Sequence, residues 1–287
     1  MTEFLVNPTL AHQWCNDNRN NGKSIGYIPT MGALHKGHLS LVDRSIKEND
    51  LTCVSIFVNP LQFNSTQDLE KYPQDIHQDL QLLNDHRCDM VYSGRLEDFF
   101  PEHQDPAAIT PSFNASAISG LEADYRPGHL EGVQAIVEKL FLTVGSCRAY
   151  FGEKDYQQCF LVREIAAWIG NIEVVICPTI REPSGLAMSS RNQRLSAKGR
   201  DLANKLHESL KAADQAWRRG QTQPAELENI MHEVLDIEGI DIEYVAIRSP
   251  DYWTASTPRG AIDTAQALVA ATIDGVRLID NMRLGAA

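Results

Sequence analysis

The sequence lacks the features that mark several large classes of protein. None of its six cysteines forms a C-x-x-C pair, which argues against a disulfide framework or a zinc site and favours a reducing cytosol. No apolar run approaches the roughly 18 residues that a membrane span needs, and the first residues carry no pattern of a secretory signal. The net charge of −12 argues against a protein that binds nucleic-acid backbones, because such proteins need a basic face.

What is present is the composition of an ordinary globular protein. Of 287 residues, 43% are hydrophobic and 22% are charged, which suits one large domain or two of average size. An acidic chain can still bind a nucleotide, because a small local basic cluster is enough to hold phosphates. We therefore expect a cytoplasmic protein whose ligands are small molecules.

Strand and helix patterns alternate through the first part of the chain. Predicted strands cover residues 24–30, 51–59, 89–92, 148–152 and 173–178, and predicted helices cover residues 35–49, 76–85, 131–144 and 156–169. The run at 51–59 has apolar residues at both odd and even positions, as in a central parallel strand that is covered on both faces. This alternation predicts an α/β fold with an open parallel sheet, whose ligands bind at the carboxyl ends of its strands.

The pattern changes after Arg181. A loop rich in glycine and serine at 182–192 precedes predicted helices at 196–219 and 224–236 and predicted strands at 240–248, 265–271 and 276–282. Two helices followed by adjacent strands predict a small α+β domain. We expect the two domains to span residues 1–180 and 181–287.

The run YIPTMGALHKGH at residues 27–38 carries the most information about function. It leads from a predicted strand into a helix that opens with His35 and His38, and residues three apart share a helix face. Gly37 lets a ligand approach the backbone closely, and a helix N-terminus favours phosphate. The pattern suits stabilisation of a transferring phosphoryl group, although histidines at a helix start are equally often capping or surface residues.

Polar or cationic residues occupy the other predicted strand and helix ends. These residues are Asn59, Gln62, Asn64, Arg126, His129, Lys154, Asp155, Ser189, Ser190 and Arg191. Taken singly, each fits a turn, a helix cap or a surface ion pair at least as well as a ligand contact. Their succession on the strand ends of one sheet favours a binding site for a small polar substrate and an anion.

Asp75 and Asp79 form an acidic pair near the start of a predicted helix. A carboxylate there would suit Mg²⁺ beside ATP phosphates, since Mg²⁺ usually takes one or two protein carboxylates plus phosphate oxygens. The alternative is a favourable interaction of first-turn acids with the helix dipole, and it is the stronger reading for Asp75.

Six segments together resemble the pantoate–β-alanine ligases, a family of the H-x-G-H nucleotidyltransferase superfamily. They are PTMGALHKGH at 29–38, FVNPLQF at 57–63, KYP at 71–73, YRPGH at 125–129 followed by GV at 132–133, FGEKDYQQ at 151–158, and GLAMSSRN at 185–192. H-x-G-H alone would indicate only the superfamily, but the whole set in this order is close to diagnostic. Beyond residue 192 only the general layout is similar.

The resemblance implies a Rossmann-like parallel sheet with helices on both faces, a smaller C-terminal α+β lid domain and a homodimer. It also implies a two-step reaction that uses ATP and Mg²⁺. In the first step the pantoate carboxylate attacks the α-phosphorus of ATP, giving pantoyl adenylate and pyrophosphate. The amine of β-alanine then attacks the acyl adenylate, giving pantothenate and AMP.

The resemblance also implies roles for individual residues. Expected to act in catalysis are His35, His38, Lys154, Ser189, Ser190 and Arg191. Expected to bind ATP are Pro29, Met31, His35, Gly37, His38, Gly152, Lys154, Asp155, Ile180, Met188, Ser189, Ser190 and Arg191. Expected to bind pantoate or line its site are Met31, Gln62, Tyr72, Arg126, His129 and Gln158.

Three positions depart from the family pattern. Pro183-Ser184 stands where the family usually has an acid before Gly185, and Leu130 replaces the usual phenylalanine after His129. Gln78 stands where the family often has another acid, so Asp79 is the remaining candidate for a metal ligand.

Two other functions stay open at this level. A related nucleotidyltransferase would adenylate a different small substrate, whereas Gln62 and Gln158 favour a hydroxy acid. A catalytically silent nucleotide-binding protein would be expected to have lost one of the two histidines, Lys154 or Arg191, and all four are present.

Overall fold

The computed structural model describes residues 2–286. Its strands are β1 (Glu3–Leu5), β2 (Ile25–Thr30), β3 (Leu51–Ile56), β4 (Met90–Tyr92), β5 (Cys147–Gly152), β6 (Ile172–Cys177), β7 (Asp241–Arg248), β8 (Gln266–Ile273) and β9 (Val276–Arg283). Its α-helices are α1 (Pro8–Asn20), α2 (Lys36–Glu48), α3 (Thr66–Glu70), α4 (Ile76–Asp85), α5 (Leu96–Phe99), α6 (Glu122–Tyr125), α7 (His129–Val144), α8 (Tyr156–Ile169), α9 (Ala197–Arg218) and α10 (Pro224–Leu235). Short 3₁₀ helices lie at Pro60–Gln62, Pro106–Ala108 and Ser190–Arg194.

The first six strands form one parallel sheet in the order β1-β4-β3-β2-β5-β6. From β2 the chain moves outward through β3 to β4, and it then returns to place β5 on the opposite side of β2. The order of the strands therefore reverses between β2 and β5. Open parallel sheets bind ligands at the carboxyl ends of the strands at such a switch point.

Helices cover both faces of this sheet, as its alternating side chains require. On one face Ile28 and Val54 pack with Leu41 of α2 and Leu83 of α4. On the other face Tyr27 packs edge-to-face against Phe141 of α7, with ring centroids 6.5 Å apart. The predicted α/β class with a parallel sheet and helices is confirmed.

The sequence patterns did not predict the N-terminal elements: no helix or strand was predicted before residue 24. Strand β1 is only three residues long and pairs with β4 at the edge of the sheet, so it is too short to display a period. Helix α1 did carry a start signal: the Asn7 side chain accepts a hydrogen bond from the backbone N–H of Thr9, and Pro8 occupies the first turn.

The C-terminal elements form a three-stranded antiparallel sheet, in the order β7-β8-β9, with two helices. Leu206 and Leu210 of α9 and Met231 of α10 share an apolar core with Val269 of β8. The strongly amphipathic α9 supplies this core because its apolar residues recur every three or four positions. The predicted α+β character of this region is confirmed.

The described chain groups into two compact units that are not continuous in sequence. The first contains residues 2–118, Arg126–Glu153 and Gln158–Pro178. The second contains Ser119–Tyr125, Lys154–Gln157 and residues 179–286. Two short segments that precede residue 180 therefore group with the C-terminal sheet.

Buried ionic and polar contacts hold the first of these segments in the second unit. The carboxylate of Glu122 accepts hydrogen bonds from Arg277 at 2.7 and 2.9 Å and from the Tyr244 hydroxyl at 2.7 Å. The Gln157 amide donates to the Ser119 and Gly120 carbonyls. A buried carboxylate needs such partners, because an unpaired charge away from water is costly.

Among residues 2–286, no helix is long and apolar enough to cross a membrane. All six cysteines are buried and carry free thiols.

Gly132 allows α7 to approach the 3₁₀ turn at Pro60–Gln62, and Gly132→Ala tests this contact. An added Cβ would lie 2.2 Å from the Leu61 carbonyl oxygen, so backbone must shift. We expect a loss of about 1–3 kcal/mol in the free energy of unfolding, measured by urea denaturation. Gly152→Ala is the matched control, since its Cβ would meet no atom within 4 Å; equal losses in both variants would contradict the contact.

Candidate active site

One buried carboxylate holds the loop after β2 by hydrogen bonds to its backbone. Asp79, 3% exposed, accepts the backbone N–H groups of Ala33 at 2.9 Å and Leu34 at 2.8 Å, one on each oxygen. Gly32 and Ala33 have φ values of +80° and +51°, so the chain turns sharply here. Burial raises the pKa of Asp79, and the two N–H donors oppose the rise. Met31 and Gly32 also line a cavity of about 470 Å³ whose wall includes Asp79.

The two histidines of the H-x-G-H motif form the N-terminal cap of α2. The Nδ1 atom of His35 accepts the Gly37 N–H at 3.1 Å, and the Nδ1 atom of His38 accepts the His35 N–H at 3.4 Å. The rings stack with centroids 4.0 Å apart. A ring nitrogen that accepts from a backbone N–H carries no proton, so the neutral form of each ring carries its proton on Nε2. The caps thereby fix two Nε2–H donors side by side at a helix N-terminus that favours phosphate.

The Gln62 side chain contacts both Met31 and Asn59 in the first unit. Its amide donates to the Met31 sulfur at 3.1 Å and accepts from the Asn59 amide at 3.0 Å. The same Asn59 amide donates to the Gly132 carbonyl at 3.0 Å, at the close approach of α7. Met31 and Gln62 are both expected at pantoate from the family resemblance, and the fold brings the two side chains into contact.

Arg126 and His129 both bind the backbone of Gln62. The Nδ1 atom of His129 donates to the Gln62 carbonyl at 2.8 Å, and its Nε2 atom lies 2.9 Å from Arg126 Nη1. Arg126 Nη2 donates to the same carbonyl at 3.4 Å. Because a carbonyl only accepts, His129 has its proton on Nδ1 and accepts from Arg126 at Nε2. Near them, the buried Tyr72 ring packs edge-on against Phe63 with centroids 5.8 Å apart.

The turn after β5 carries the next set of predicted residues. Gly152 ends β5, and Lys154 and Asp155 lead into α8. The Lys154 ammonium lies 3.7 Å from the Asp155 carboxylate, and the Lys154 carbonyl accepts the Asn281 amide at 2.9 Å. Gln158 follows within the first turn of α8, at the other predicted pantoate position.

The segment after residue 180 forms a short hairpin in the second unit. Arg181 and Ala187 form a β-bridge, and the Met188 N–H donates to the Ile180 carbonyl at 2.9 Å. Gly185 has φ +98° at the turn. The hairpin delivers Ser189, which caps the following 3₁₀ helix by accepting the Arg191 N–H at 3.2 Å.

The family described as pantoate-beta-alanine ligase matches residues 4–283 of this chain. The pantothenate synthetase of a Ruegeria species is 44% identical over 264 residues, covering 91% of each chain. That of Thermodesulfovibrio yellowstonii is 38% identical over 283 residues, covering 98% of this chain and 99% of the relative. The chain belongs to the pantoate–β-alanine ligase family.

Solved structures of the family have the same fold. Pantothenate synthetase from Thermus thermophilus is 35% identical, with a TM-score of 0.88 over 98% of this chain and 99% of that chain. Pantoate–β-alanine ligase from Francisella tularensis, complexed with beta-gamma ATP and β-alanine, is 32% identical, with a TM-score of 0.80 over 100% of this chain and 99% of that chain.

The predicted ligase site residues divide between the two units. Pro29, Met31, His35, Gly37, His38, Gln62, Tyr72, Arg126, His129, Gly152 and Gln158 belong to the first unit. Lys154, Asp155, Ile180, Met188, Ser189, Ser190 and Arg191 belong to the second. In the first unit, contacts join Met31, Gln62, Arg126 and His129 from distant parts of the sequence. The binding and catalytic roles remain predictions.

Asp79, the metal ligand that the sequence suggested, already has hydrogen-bond partners in the protein, and its metal role stays a prediction. Both of its oxygens accept loop N–H groups, and the residue is buried. The geometry shows that Asp79 fixes the loop that leads to His35.

Sequence reasoning missed several polar residues that hold these segments, among them Arg181, Asp280 and Asn281. A signal was available: Asp280 and Asn281 are adjacent in the predicted strand at 276–282, so they face opposite sides of the sheet and cannot both face solvent if one side is buried. A polar pair inside a buried strand indicates specific hydrogen-bond partners.

Asp79→Asn should change how stability depends on pH. Because the pKa of Asp79 is raised on folding, the folded protein binds this proton more tightly than the unfolded chain. The stability that the group contributes therefore falls as pH rises from its unfolded pKa of about 3.9 through the raised folded value. The variant lacks this fall, so the wild-type advantage in unfolding free energy should shrink as the pH rises from about 4. Urea denaturation across this range measures it, and a constant difference would contradict it.

Proposed function

We propose that this protein condenses pantoate with β-alanine at the expense of ATP, giving pantothenate, AMP and pyrophosphate through a pantoyl-adenylate intermediate. The observation that carries the proposal is the family match over residues 4–283, together with the capped His35–His38 pair at the N-terminus of α2. The Francisella tularensis relative, solved with beta-gamma ATP and β-alanine, supports the same substrates.

In the first step a pantoate carboxylate oxygen attacks the α-phosphorus and pyrophosphate leaves. Negative charge builds on the phosphoryl oxygens, and the Nε2–H groups of His35 and His38 are the donors that stabilise it. Lys154 and Arg191 supply positive charge to the phosphates, and Ser189 and Ser190 supply hydroxyl donors. No enzyme nucleophile is required, because ATP itself activates the carboxylate.

In the second step the β-alanine amine attacks the acyl carbon of the adenylate, the acyl–phosphate bond breaks and AMP leaves. Gln62 and Gln158 hydrogen-bond the pantoyl hydroxyls and hold the carbonyl in place for the amine. Arg126 and His129 act through Gln62, since both fix its backbone carbonyl. Mg²⁺ would neutralise charge on the ATP phosphates, with Asp79 as the candidate carboxylate to hold it.

We also propose that the enzyme is a cytoplasmic homodimer. The family resemblance implies the dimer, and the six buried free thiols suit a reducing compartment. Light scattering coupled to gel filtration tests the dimer directly.

Pantoate-dependent exchange of labelled pyrophosphate into ATP, with Mg²⁺ and without β-alanine, tests the function. We expect exchange, because a reversible adenylation step returns label to ATP. Absence of exchange in folded protein that binds ATP would favour a different carboxylate substrate or a catalytically silent nucleotide-binding protein.

His38→Ala should slow single-turnover adenylation by a factor on the order of 10² or more, since it removes one preorganised donor. His86→Ala is the control, because His86 pairs with Asp43 on the surface of the first unit. Adenylation at the normal rate in His38→Ala would remove this residue from catalysis.

Lys154→Ala should also slow adenylation, with a smaller effect on the attack of β-alanine, because most of the phosphate charge departs with pyrophosphate. Rapid-quench measurement of the two steps separates the effects. If only the β-alanine step slowed, Lys154 would need a different role.

A further inference from the structure

Strand β9 carries two adjacent polar residues that are almost completely buried. Asp280 and Asn281 are each 4% exposed and pair in register with Val269 and Leu268 of β8. Burial of a carboxylate and a primary amide is unfavourable unless both are fully hydrogen-bonded. The hydrogen-bond partners of Asp280 and Asn281 therefore show which segments of the chain these two residues hold in place.

Asp280 holds the base of the hairpin that leads to the predicted phosphate-binding serines. Arg181 donates to its two oxygens at 2.6 and 3.0 Å. The same guanidinium donates to the Gly185 carbonyl at the tip of the hairpin at 3.0 Å and to the Asn281 carbonyl at 3.2 Å. One buried carboxylate thus orients an arginine that ties the hairpin to β9.

Asn281 holds the other predicted phosphate-binding segment. Its Oδ1 atom accepts the Gln266 amide at 2.7 Å, which fixes the orientation of the Asn281 amide. Its Nδ2 atom then donates to the Lys154 carbonyl at 2.9 Å. The Asn281 N–H donates to Asp280 at 2.8 Å, so the two anchors are joined.

We infer that Asp280 and Asn281 are positioning residues for two phosphate-binding segments. Asn281 fixes the position of Lys154, and Asp280 fixes that of the Ser189–Arg191 segment. Neither side chain needs to touch ATP, since each acts on the backbone or the arginine of a phosphate-binding segment. A shift of about 1 Å in such a segment can lower a rate by about 10². The inference rests on the proposed function.

Double-mutant cycles test this role against a purely structural one. Asn281→Ala should lower kcat/KM for ATP in the pyrophosphate exchange assay by at least about tenfold in the wild-type background. In a Lys154→Ala background the same change should cost less than about threefold, because the group that it positions is already absent. Asp280→Asn should likewise lower kcat/KM by at least about tenfold in the wild-type background and by less than about threefold in an Arg191→Ala background.

Glu243→Gln is the matched control, since Glu243 is a partly buried carboxylate of the same unit paired with Arg277 at 2.7 Å. It should leave kcat/KM within about twofold of wild type in every background. Equal losses from Asn281→Ala in both backgrounds would overturn the inference and make the pair a stability element. If Asn281→Ala fails to fold by circular dichroism, Asn281→Ser carries the same comparison.

Failure of the proposed function is distinguishable from failure of this inference. If the wild type shows no pantoate-dependent exchange, the cycles are repeated on the dissociation constant of ATP, measured by calorimetry. Coupling between Asn281 and Lys154 in ATP binding would then support the positioning role without the ligase reaction, and additive effects would overturn it.

Discussion

The pairing of β2 with β3 on one side and β5 on the other is the constraint on which the first unit depends. Parallel strands need long crossover connections, so the chain must leave β2 in one direction and return to it from the other. This reversal brings the carboxyl ends of β2 and β5 next to each other. The loop that carries the histidine motif follows β2, and the predicted ATP-binding residue Gly152 ends β5.

Within this frame, buried polar groups control the backbone at the predicted site. Asp79 binds two N–H groups of the β2–α2 loop, and Arg126 and His129 bind the carbonyl of Gln62. In the second unit, Asp280 and Asn281 hold the hairpin and the Lys154 carbonyl. An unmade hydrogen bond to a buried group is costly, so each of these contacts restricts its loop to one conformation. Preorganisation of this kind is what a phosphoryl-transfer site requires, because its catalysis is mainly positioning and charge stabilisation.

The sequence predicted helices and strands well where the segments were long enough to show a hydrophobic period. The helix predicted at 76–85 has the observed bounds of α4, and the run at 51–59 correctly indicated a central strand, although β3 ends at Ile56. A three-residue edge strand such as β1 has no period to detect. The parts played by Asp79, Arg126 and His129 were also beyond sequence reasoning, because their partners are backbone atoms of segments distant in the chain.

By itself the sequence determined the α/β class, the family and the residues expected at the substrates, since these follow from local hydrophobic patterns and from short motifs with a chemical meaning. Only the tertiary structure decided that His35 and His38 share one tautomer, that Asp79 supports a loop, and that segments 119–125 and 154–157 group with the C-terminal sheet. The reason is physical: a pattern along the chain reports which side chains are buried, whereas hydrogen bonds between distant segments exist only once folding has brought donor and acceptor within about 3 Å.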